Sequence, residues 1–266
     1  LGLSHASSGA HGYATFGPLK INEIVEYGDN HNVMGPGPTL GDQARYQFNP
    51  IEKLLLGWLS PNAFYSVTNN GTYRIYAHDM PGLALGQKIG LRVPHTPQEE
   101  TWYSFRQLFT SNPWSMAGAE LHGWNPYIHT FGTSTVANIV RLDANPGTPQ
   151  GIDDAALVIG RTLRDAYSNV FVTPIGKGGT APESLDLAVN IGPFPNNVAP
   201  IAACVGSSAI VAVGEAVNFT ASANDENGDT LAYFWDFGDN AFSSNNSANT
   251  SKSWSAAGKY RVSCII

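Results

Sequence analysis

The sequence has little positive charge and no long apolar run, and both shortages exclude classes of function. It carries 14 Lys and Arg against 21 Asp and Glu, which gives a formal net charge of −7. Nucleic acids and anionic membrane surfaces attract basic proteins, so this balance argues against either as a partner. No apolar stretch approaches the roughly 18 residues that a membrane-spanning helix requires, and no membrane span is predicted.

Cysteine is scarce as well. The only two cysteines, Cys204 and Cys264, both lie in the last quarter of the chain. A cytosolic protein can bury such residues as small apolar side chains, whereas an extracellular protein can join them in a disulfide. Their confinement to one small segment favours the disulfide and an oxidising compartment. Closing this loop would stabilise the segment by about 3–4 kcal/mol.

The chain is rich in apolar and turn-forming residues. Hydrophobic residues make up 42% of it and charged residues only 13%, with 28 Gly and 17 Pro. Such a composition is typical of a mainly β protein with enough apolar material for hydrophobic cores. At 266 residues, the chain is long enough for two or three domains.

Residues 61–191 consist of short alternating segments separated by Gly, Pro, Asn and Asp. This pattern predicts an antiparallel β-sandwich, jelly-roll-like in architecture. The predicted strands are 63–68, 72–77, 87–93, 102–108, 127–131, 138–142, 169–173 and 184–191. Asn69-Asn70-Gly71 predicts a hairpin between the first two. No catalytic constellation is visible in this region, which we interpret as a domain that supports a neighbouring one.

A helix start precedes this region. Asn49 is suited to cap a helix, Pro50 to occupy its first position, and Glu52 to complete a capping box. An apolar helical stripe follows, formed by Ile51, Leu54, Leu55 and Trp58. We expect this stripe to pack against another helix that lies outside the sequence.

Residues 192–199 form a proline-stiffened linker, and residues 200–266 show three alternating apolar stretches. The alternating residues are Val217, Phe219 and Ala221, then Tyr233, Trp235 and Phe237, then Tyr260, Val262 and Cys264. Since side chains two positions apart share a strand face, they predict the core of a sandwich. With its Trp235-Asp236-Phe237-Gly238-Asp239 run, this region resembles the PKD domain, an immunoglobulin-like β-sandwich of secreted enzymes and surface proteins. The family would continue beyond Ile266 with one more strand.

Four side chains in and near this region carry oxygen atoms of the kind that calcium prefers. They are Asn197, Asp225, Asp229 and Asp239. One interpretation is a structural calcium ion near the linker, as the PKD resemblance implies for some secreted proteases. The other is that these residues only build turns, and this interpretation is the one we favour.

The first residues of the chain carry a motif that later segments reinforce. Gly2-Leu3-Ser4-His5 has the G-x-x-H spacing that ends the long zinc-protease pattern H-E-x-x-H-x-x-G-x-x-H. A Tyr27-Gly28-Asp29 segment with Met34 follows, and then Leu56-Gly57-Trp58. In this order, the three pieces resemble secreted metzincin peptidases of the gametolysin and immune-inhibitor-A type.

The metzincin resemblance implies that residues 1–60 are the C-terminal part of a zinc-protease catalytic domain of α/β type. Gly2 would end the zinc helix, His5 would be the third zinc ligand, and Met34 would form the Met-turn below the metal. The first two histidines and the general-base Glu would precede Leu1, so this fragment would be inactive alone. The alternatives are a loop histidine and an ordinary core methionine.

Residues near the Met-turn receive simpler interpretations. We expect Tyr27 and Asp29 to form the turn, with Asp29 bonding backbone N–H groups. His11 and His31 lie near the site in sequence and could contact substrate, but we interpret both as surface imidazoles.

Two functions of different class follow from these patterns. The first is a secreted zinc metalloendopeptidase that hydrolyses protein or peptide substrates. The second is a non-catalytic extracellular protein whose PKD and β-sandwich modules bind a matrix or surface ligand. Zinc is the expected cofactor of the first, with calcium as the second candidate ion.

Overall fold

A computed structural model gives the fold of the protein and describes residues 3, 6–10, 15–16, 24–25, 27–35, 47–95, 99–109, 112–125, 130–131, 134–135, 138–146, 148–165 and 168–266. The strands are β1 (Ser7–Ala10), β2 (Thr15–Phe16), β3 (Ile24–Val25), β4 (Phe64–Ser66), β5 (Gly71–Tyr76), β6 (Gly90–Pro94), β7 (Glu100–Ser104), β8 (Gly118–Asn125), β9 (Thr130–Phe131), β10 (Ser134–Thr135), β11 (Asn138–Asp143), β12 (Leu157–Val158), β13 (Leu163–Asp165), β14 (Val170–Gly178), β15 (Ser184–Ile191), β16 (Ile201–Gly206), β17 (Val217–Asn224), β18 (Phe234–Asp236), β19 (Asn249–Lys252) and β20 (Ser263–Ile265). The helices are α1 (Pro50–Leu55) and α2 (Pro113–Met116), with 3-10 turns at Pro61–Ala63 and Gly151–Asp154. Among these described helices, none has the length and apolar character needed to cross a membrane.

Two sheets form a central sandwich. The eight-stranded sheet has the order β3-β1-β11-β8-β7-β6-β4, with β12 also paired to β8, and the five-stranded sheet has the order β2-β13-β14-β15-β5. Tyr103 and Leu121 of the first sheet share one buried cluster with Val172 and Leu187 of the second. The mainly β fold class is confirmed, and the core lies between the two sheets because alternate side chains of each strand point inward.

The pairing within the sandwich differs from the prediction in two respects. Among the described strands, three pairs are parallel, namely β1 with β11, β2 with β13 and β4 with β6, so the sandwich is mixed and not purely antiparallel. The predicted hairpin at Asn69-Asn70-Gly71 is wrong, because β4 pairs with β6 while β5 pairs with β15 in the other sheet. The Asn70 side chain accepts a hydrogen bond from the Ile191 N–H at 2.8 Å, which fixes the corner between the sheets.

The outer face of the eight-stranded sheet carries a third layer that includes α1. The expected capping box is present, since Asn49 accepts from the Glu52 N–H at 3.0 Å and Glu52 accepts from the Asn49 N–H at 2.9 Å. Ile51 is buried in a cluster formed by Phe64, Ile89, Trp102 and Ile139. The helix therefore packs on this sheet through Ile51, while Leu55 and Trp58 are 46% and 60% exposed. Their packing against a further helix stays a prediction.

Backbone pairing crosses the predicted domain boundary at residue 60. The short strands β1, β2 and β3, all from the first segment, pair with sandwich strands or with one another. The division of residues 1–60 from 61–191 stays a prediction.

Residues 200–266 form a second, smaller sandwich of a three-stranded sheet, β16-β17-β19, and a two-stranded sheet, β18-β20. Of the alternating side chains in the sequence pattern, its core buries Val217, Phe219, Ala221, Trp235 and Phe237, and Tyr233, Val262 and Cys264 pack against them. Tyr260 is not part of this core and stacks on Trp254, with ring centroids 5.0 Å apart. Cys204 of β16 and Cys264 of β20 are joined in a disulfide with a Cα–Cα distance of 6.5 Å. The bridge links the two sheets of this module.

The opposite face of β18 docks on the central sandwich, and we call these contacts the module junction. Phe234 is buried in the core cluster of the large sandwich, and its ring centroid lies 5.4 Å from Phe242. Trp114 packs on Phe242 with ring centroids 4.2 Å apart. Asn245 accepts from the Lys177 N–H at 2.7 Å and donates to the Lys177 carbonyl at 2.8 Å. Aromatic packing and neutral amide bonds thus hold the module in place.

Candidate functional site

Gly2 and His5, the predicted helix-end glycine and zinc ligand, lie outside the described residues, as does His11. Their neighbour Ala6 is buried and has both backbone groups paired with the segment that carries Met34. The Ala6 N–H donates to the Met34 carbonyl at 2.9 Å, and the Ala6 carbonyl accepts from the Asp29 N–H at 3.2 Å. The chain immediately after His5 therefore lies against the backbone of Met34.

Residues 27–35 form a compact turn, which we call the methionine turn. Asp29 accepts the His31 N–H at 3.1 Å through its side chain, the turn-forming role expected for it. Tyr27 has a positive φ of 58°, as tight turns often require. A Cβ on Gly35 would lie 1.9 Å from the Asp29 carbonyl oxygen, so the turn closes on itself only because residue 35 is glycine.

Asn32 connects the methionine turn to helix α1. Its side chain is fully buried, its Oδ1 accepts from the Met34 N–H at 2.9 Å, and its Nδ2 donates to Glu52 Oε2 at 2.7 Å. The same Glu52 oxygen accepts from the Asn49 N–H in the capping box. Glu52, which completes the capping box of α1, thereby also holds the methionine turn.

His31 connects the methionine turn to the sandwich, so its prediction as a surface imidazole is wrong: it is only 2% exposed. Its Nδ1 lies 2.9 Å from Glu120 Oε1, and its Nε2 lies 2.9 Å from Asn112 Nδ2. Since a carboxylate must receive a proton and the Asn112 amide nitrogen must donate one, the ring is neutral with its proton on Nδ1. Glu120 also accepts from Arg106 Nε at 2.7 Å.

A second buried acid faces the same sheet. The Asp29 carboxylate lies 3.5 Å from His122 Nε2 and 3.9 Å from Arg141 Nη1. His122 of β8 and Arg141 of β11 stand directly opposite each other in the ladder. The outer face of the sheet is therefore charged beneath the methionine turn and apolar beneath α1.

The pKa values of these groups follow from burial and charge. Burial alone would raise the pKa of Glu120, but Arg106, His31 and Arg141 together outweigh burial and hold that pKa well below its usual value. Burial also opposes the ionisation of Asp29, yet His122 and Arg141 keep its pKa low. Burial and the charge of Arg141 lower the pKa of His31 to about 4, against the influence of Glu120. At neutral pH, the carboxylates of Asp29 and Glu120 and the guanidinium groups of Arg106 and Arg141 are thus charged between the methionine turn and the sheet. We call these contacts the turn junction.

Glu52 behaves differently from the other two acids. Burial raises its pKa to about 7, and hydrogen bonds from Asn32 and the Asn49 backbone only partly oppose this shift. No guanidinium lies within salt-bridge distance of Glu52 among the described contacts, and the nearby charge of Asp29 adds to the effect of burial, so the pKa stays raised.

Among the described residues, no group of three or more His, Cys, Asp or Glu side chains is placed to hold a metal ion. Asp225 accepts from the backbone N–H groups of Asn227 and Asp229, at 2.9 and 3.1 Å, as in a turn. Asp239 forms an ion pair with Lys252 at 2.7 Å. Asn197 donates through its backbone to the Phe194 carbonyl. These contacts favour the turn-building interpretation, and the calcium ion stays a prediction.

Sequence reasoning missed the sheet side of the turn junction. Arg106, Glu120, His122 and Arg141 received no role, and β8 was absent from the predicted strands. A signal was present, because Ala119 and Leu121 alternate with Glu120 and His122 in the manner of a strand. Nothing in that alternation indicates which segment would cover the charged face.

Comparison with known proteins gives one match. No curated protein and no solved structure matches the chain. Residues 197–266 match the family model of the PKD domain, which confirms that part of the resemblance and leaves residues 1–196 outside the match.

Proposed function

We propose that this chain is part of a secreted zinc metalloendopeptidase of the metzincin type, with a supporting β-sandwich and a PKD module. The observation that carries the proposal is the hydrogen bond from the Ala6 N–H to the Met34 carbonyl at 2.9 Å. It brings the segment that follows His5 against the glycine-closed methionine turn, which is the juxtaposition that a metzincin site requires. The PKD match accords with an extracellular protein.

In the proposed enzyme, His5 would supply one imidazole ligand, and two further histidines and a glutamate would come from residues before Leu1. Zinc, when bound, would polarise the scissile carbonyl and lower the pKa of water. The role of this chain is to orient His5 and to present the Met34 thioether as an adaptable floor. The buried ion pairs of the turn junction would hold that floor in place.

The test is casein digestion by the full-length protein, with and without a zinc chelator. We expect chelator-sensitive hydrolysis that added zinc restores. His5→Ala should abolish activity and lower bound zinc, whereas His11→Ala should retain the metal. Hydrolysis that resists chelation, or full zinc content in the His5→Ala protein, would overturn the proposal.

The PKD match favours a second candidate of another class, a non-catalytic extracellular protein that binds a matrix or surface ligand through its β modules. Its protease-like segment would then be a remnant. The coding sequence just before Leu1 separates the two. An intact H-E-x-x-H run supports the enzyme, and a replaced histidine or glutamate supports the binding protein.

A further inference from the structure

Both backbone polar groups of Met34 have defined partners, and the partners come from different elements. The Met34 carbonyl accepts from the Ala6 N–H, in the segment that follows His5. The Met34 N–H donates to the Asn32 side chain, which in turn donates to Glu52. The position of Met34 therefore depends on a chain of hydrogen bonds that ends in helix α1.

Asparagine suits this position for a chemical reason. Its side-chain amide can accept one hydrogen bond and donate another at the same time, whereas a carboxylate only accepts and an apolar side chain does neither. Asn32 uses both capacities while fully buried. Replacing Asn32 with an acidic or an apolar residue would thus leave at least one buried polar group without a partner, which is costly in a protein interior.

The far end of the chain of bonds is rigid. Glu52 is held by reciprocal capping bonds with Asn49 at 2.9 and 3.0 Å. The adjacent Ile51 is buried against Phe64 and Trp102 on the sheet. The Glu52 carboxylate is therefore a fixed acceptor, and the bond from Asn32 transmits that fixed position to the methionine turn.

We propose that Asn32 and Glu52 are positioning residues that fix Met34 relative to the His5 segment. Their importance for a metal site rests on the proposed function, whereas their control of the Met34 position does not. The sandwich and α1 then support the proposed metal site, because they hold the Met34 turn in place.

The first experiment observes Met34 directly in the 266-residue chain. The chain has 3 methionines, so a spectrum with ¹³C-labelled methionine methyl groups contains few signals, and Met34→Leu assigns the relevant one. We expect Asn32→Ala and Glu52→Ala to shift or broaden the Met34 signal and to leave the Met80 and Met116 signals in place. The conservative variant Glu52→Gln retains an acceptor oxygen, so its Met34 signal should stay at the wild-type position. Asn69→Ala, at an exposed asparagine, is the matched control.

The second experiment measures zinc release to a chelator from the full-length protein. We expect Asn32→Ala to lose zinc about tenfold faster than wild type, the lower end of the effect of changing residues around metal ligands, and Asn69→Ala to match wild type. An unmoved Met34 signal in Asn32→Ala overturns the positioning role, whatever the protein catalyses. A moved signal in a wild-type protein that neither holds zinc nor digests casein overturns the proposed function and leaves the positioning of Met34 standing.

Discussion

The large sandwich holds two neighbouring segments by different physical means. At the turn junction, the buried contacts are ionic, with Glu120 on Arg106 and Asp29 near His122 and Arg141. At the module junction, they are aromatic and neutral, with Phe234 in the core and Asn245 bonded to the backbone. The stability from apolar burial does not depend on pH. Buried charges are costly unless they are paired, so the stability of an ionic contact depends on the protonation of both partners.

The two junctions differ in how strictly they fix the orientation of the segment that they hold. Aromatic packing stabilises the module junction without fixing every atom, because apolar contact is not directional. The hydrogen-bonded charges of the turn junction fix orientation as well as proximity. The methionine turn is thus held mainly by charged hydrogen bonds, and the PKD module mainly by aromatic packing with a few neutral amide bonds.

The largest effect should come from removing the central acid of the turn junction. Glu120→Ala leaves Arg106 charged and buried without its partner, which costs about 3–5 kcal/mol. Urea denaturation should show this loss in the free energy of unfolding, and hydrogen exchange should show faster opening of residues 27–35. Glu226→Ala, at an exposed acid of the PKD module, should change stability by less than about 0.5 kcal/mol.

The disulfide tests whether the module folds independently of the turn. Replacing both Cys204 and Cys264 with serine removes a link between residues 60 positions apart and should destabilise the PKD module by about 3–4 kcal/mol. Protection of module amides against hydrogen exchange should fall, while protection of residues 27–35 stays at its wild-type level. Equal loss in both regions would contradict separate junctions.

A smaller effect is expected from truncating the aromatic anchor of the module junction. Phe234→Ala removes a ring from the core and should cost about 3 kcal/mol, the lower end for such cavities, because the module can shift into the space. The loss should be the same at pH 5 and pH 8, since the residues around Phe234 are apolar. Phe194→Ala, at a half-exposed ring, serves as control. A strongly pH-dependent loss would be incompatible with an apolar junction.

At mildly acidic pH, the smallest effect should be the pH response of Glu52. Its pKa is raised from 4.5 to about 7 in the fold, so the folded chain retains a proton that the unfolded chain releases. Stability contributed by this group is therefore lost as the pH rises from 4.5 through 7. Glu52→Gln cannot titrate and should match wild type at pH 4, exceed its stability by about 2 kcal/mol at pH 6, and exceed it by about 3 kcal/mol at pH 8.

His31 titrates in the opposite sense, which the same experiment takes into account. Because its pKa falls to about 4 in the fold, stability is lost as the pH decreases from its ordinary value of 6.5 towards 4. This contribution is present in both proteins and cancels in the difference between wild type and Glu52→Gln. A flat difference curve between pH 4 and pH 8 would show that Glu52 has an ordinary pKa.

Local patterns predicted local structure well. The capping box at Asn49 and the alternating core faces around Trp235 both depend on neighbours within a few residues, and the structure contains them. Partner choice between distant strands was not accessible in this way. The turn at Asn69-Asn70-Gly71 reads as a hairpin, yet β5 pairs with β15, more than a hundred residues further on.

The burial of polar residues was also not predicted from the sequence. His31 and Glu120 look like surface residues because isolated His and Glu side chains are usually solvated. They contact each other at a separation of 89 residues, and no local pattern shows such a pair. Likewise, Phe234 lies on the strand face opposite to the predicted core, and its partner Trp114 belongs to the other sandwich.

The most direct test of the central claim is the position of the His5 imidazole relative to Met34. Anomalous diffraction at the zinc edge, from crystals of the full-length protein, should show a metal about 2.0–2.1 Å from a His5 ring nitrogen. The Met34 side chain should lie directly below it. A His5 ring that points away from Met34, with no metal bound to it, would contradict the account.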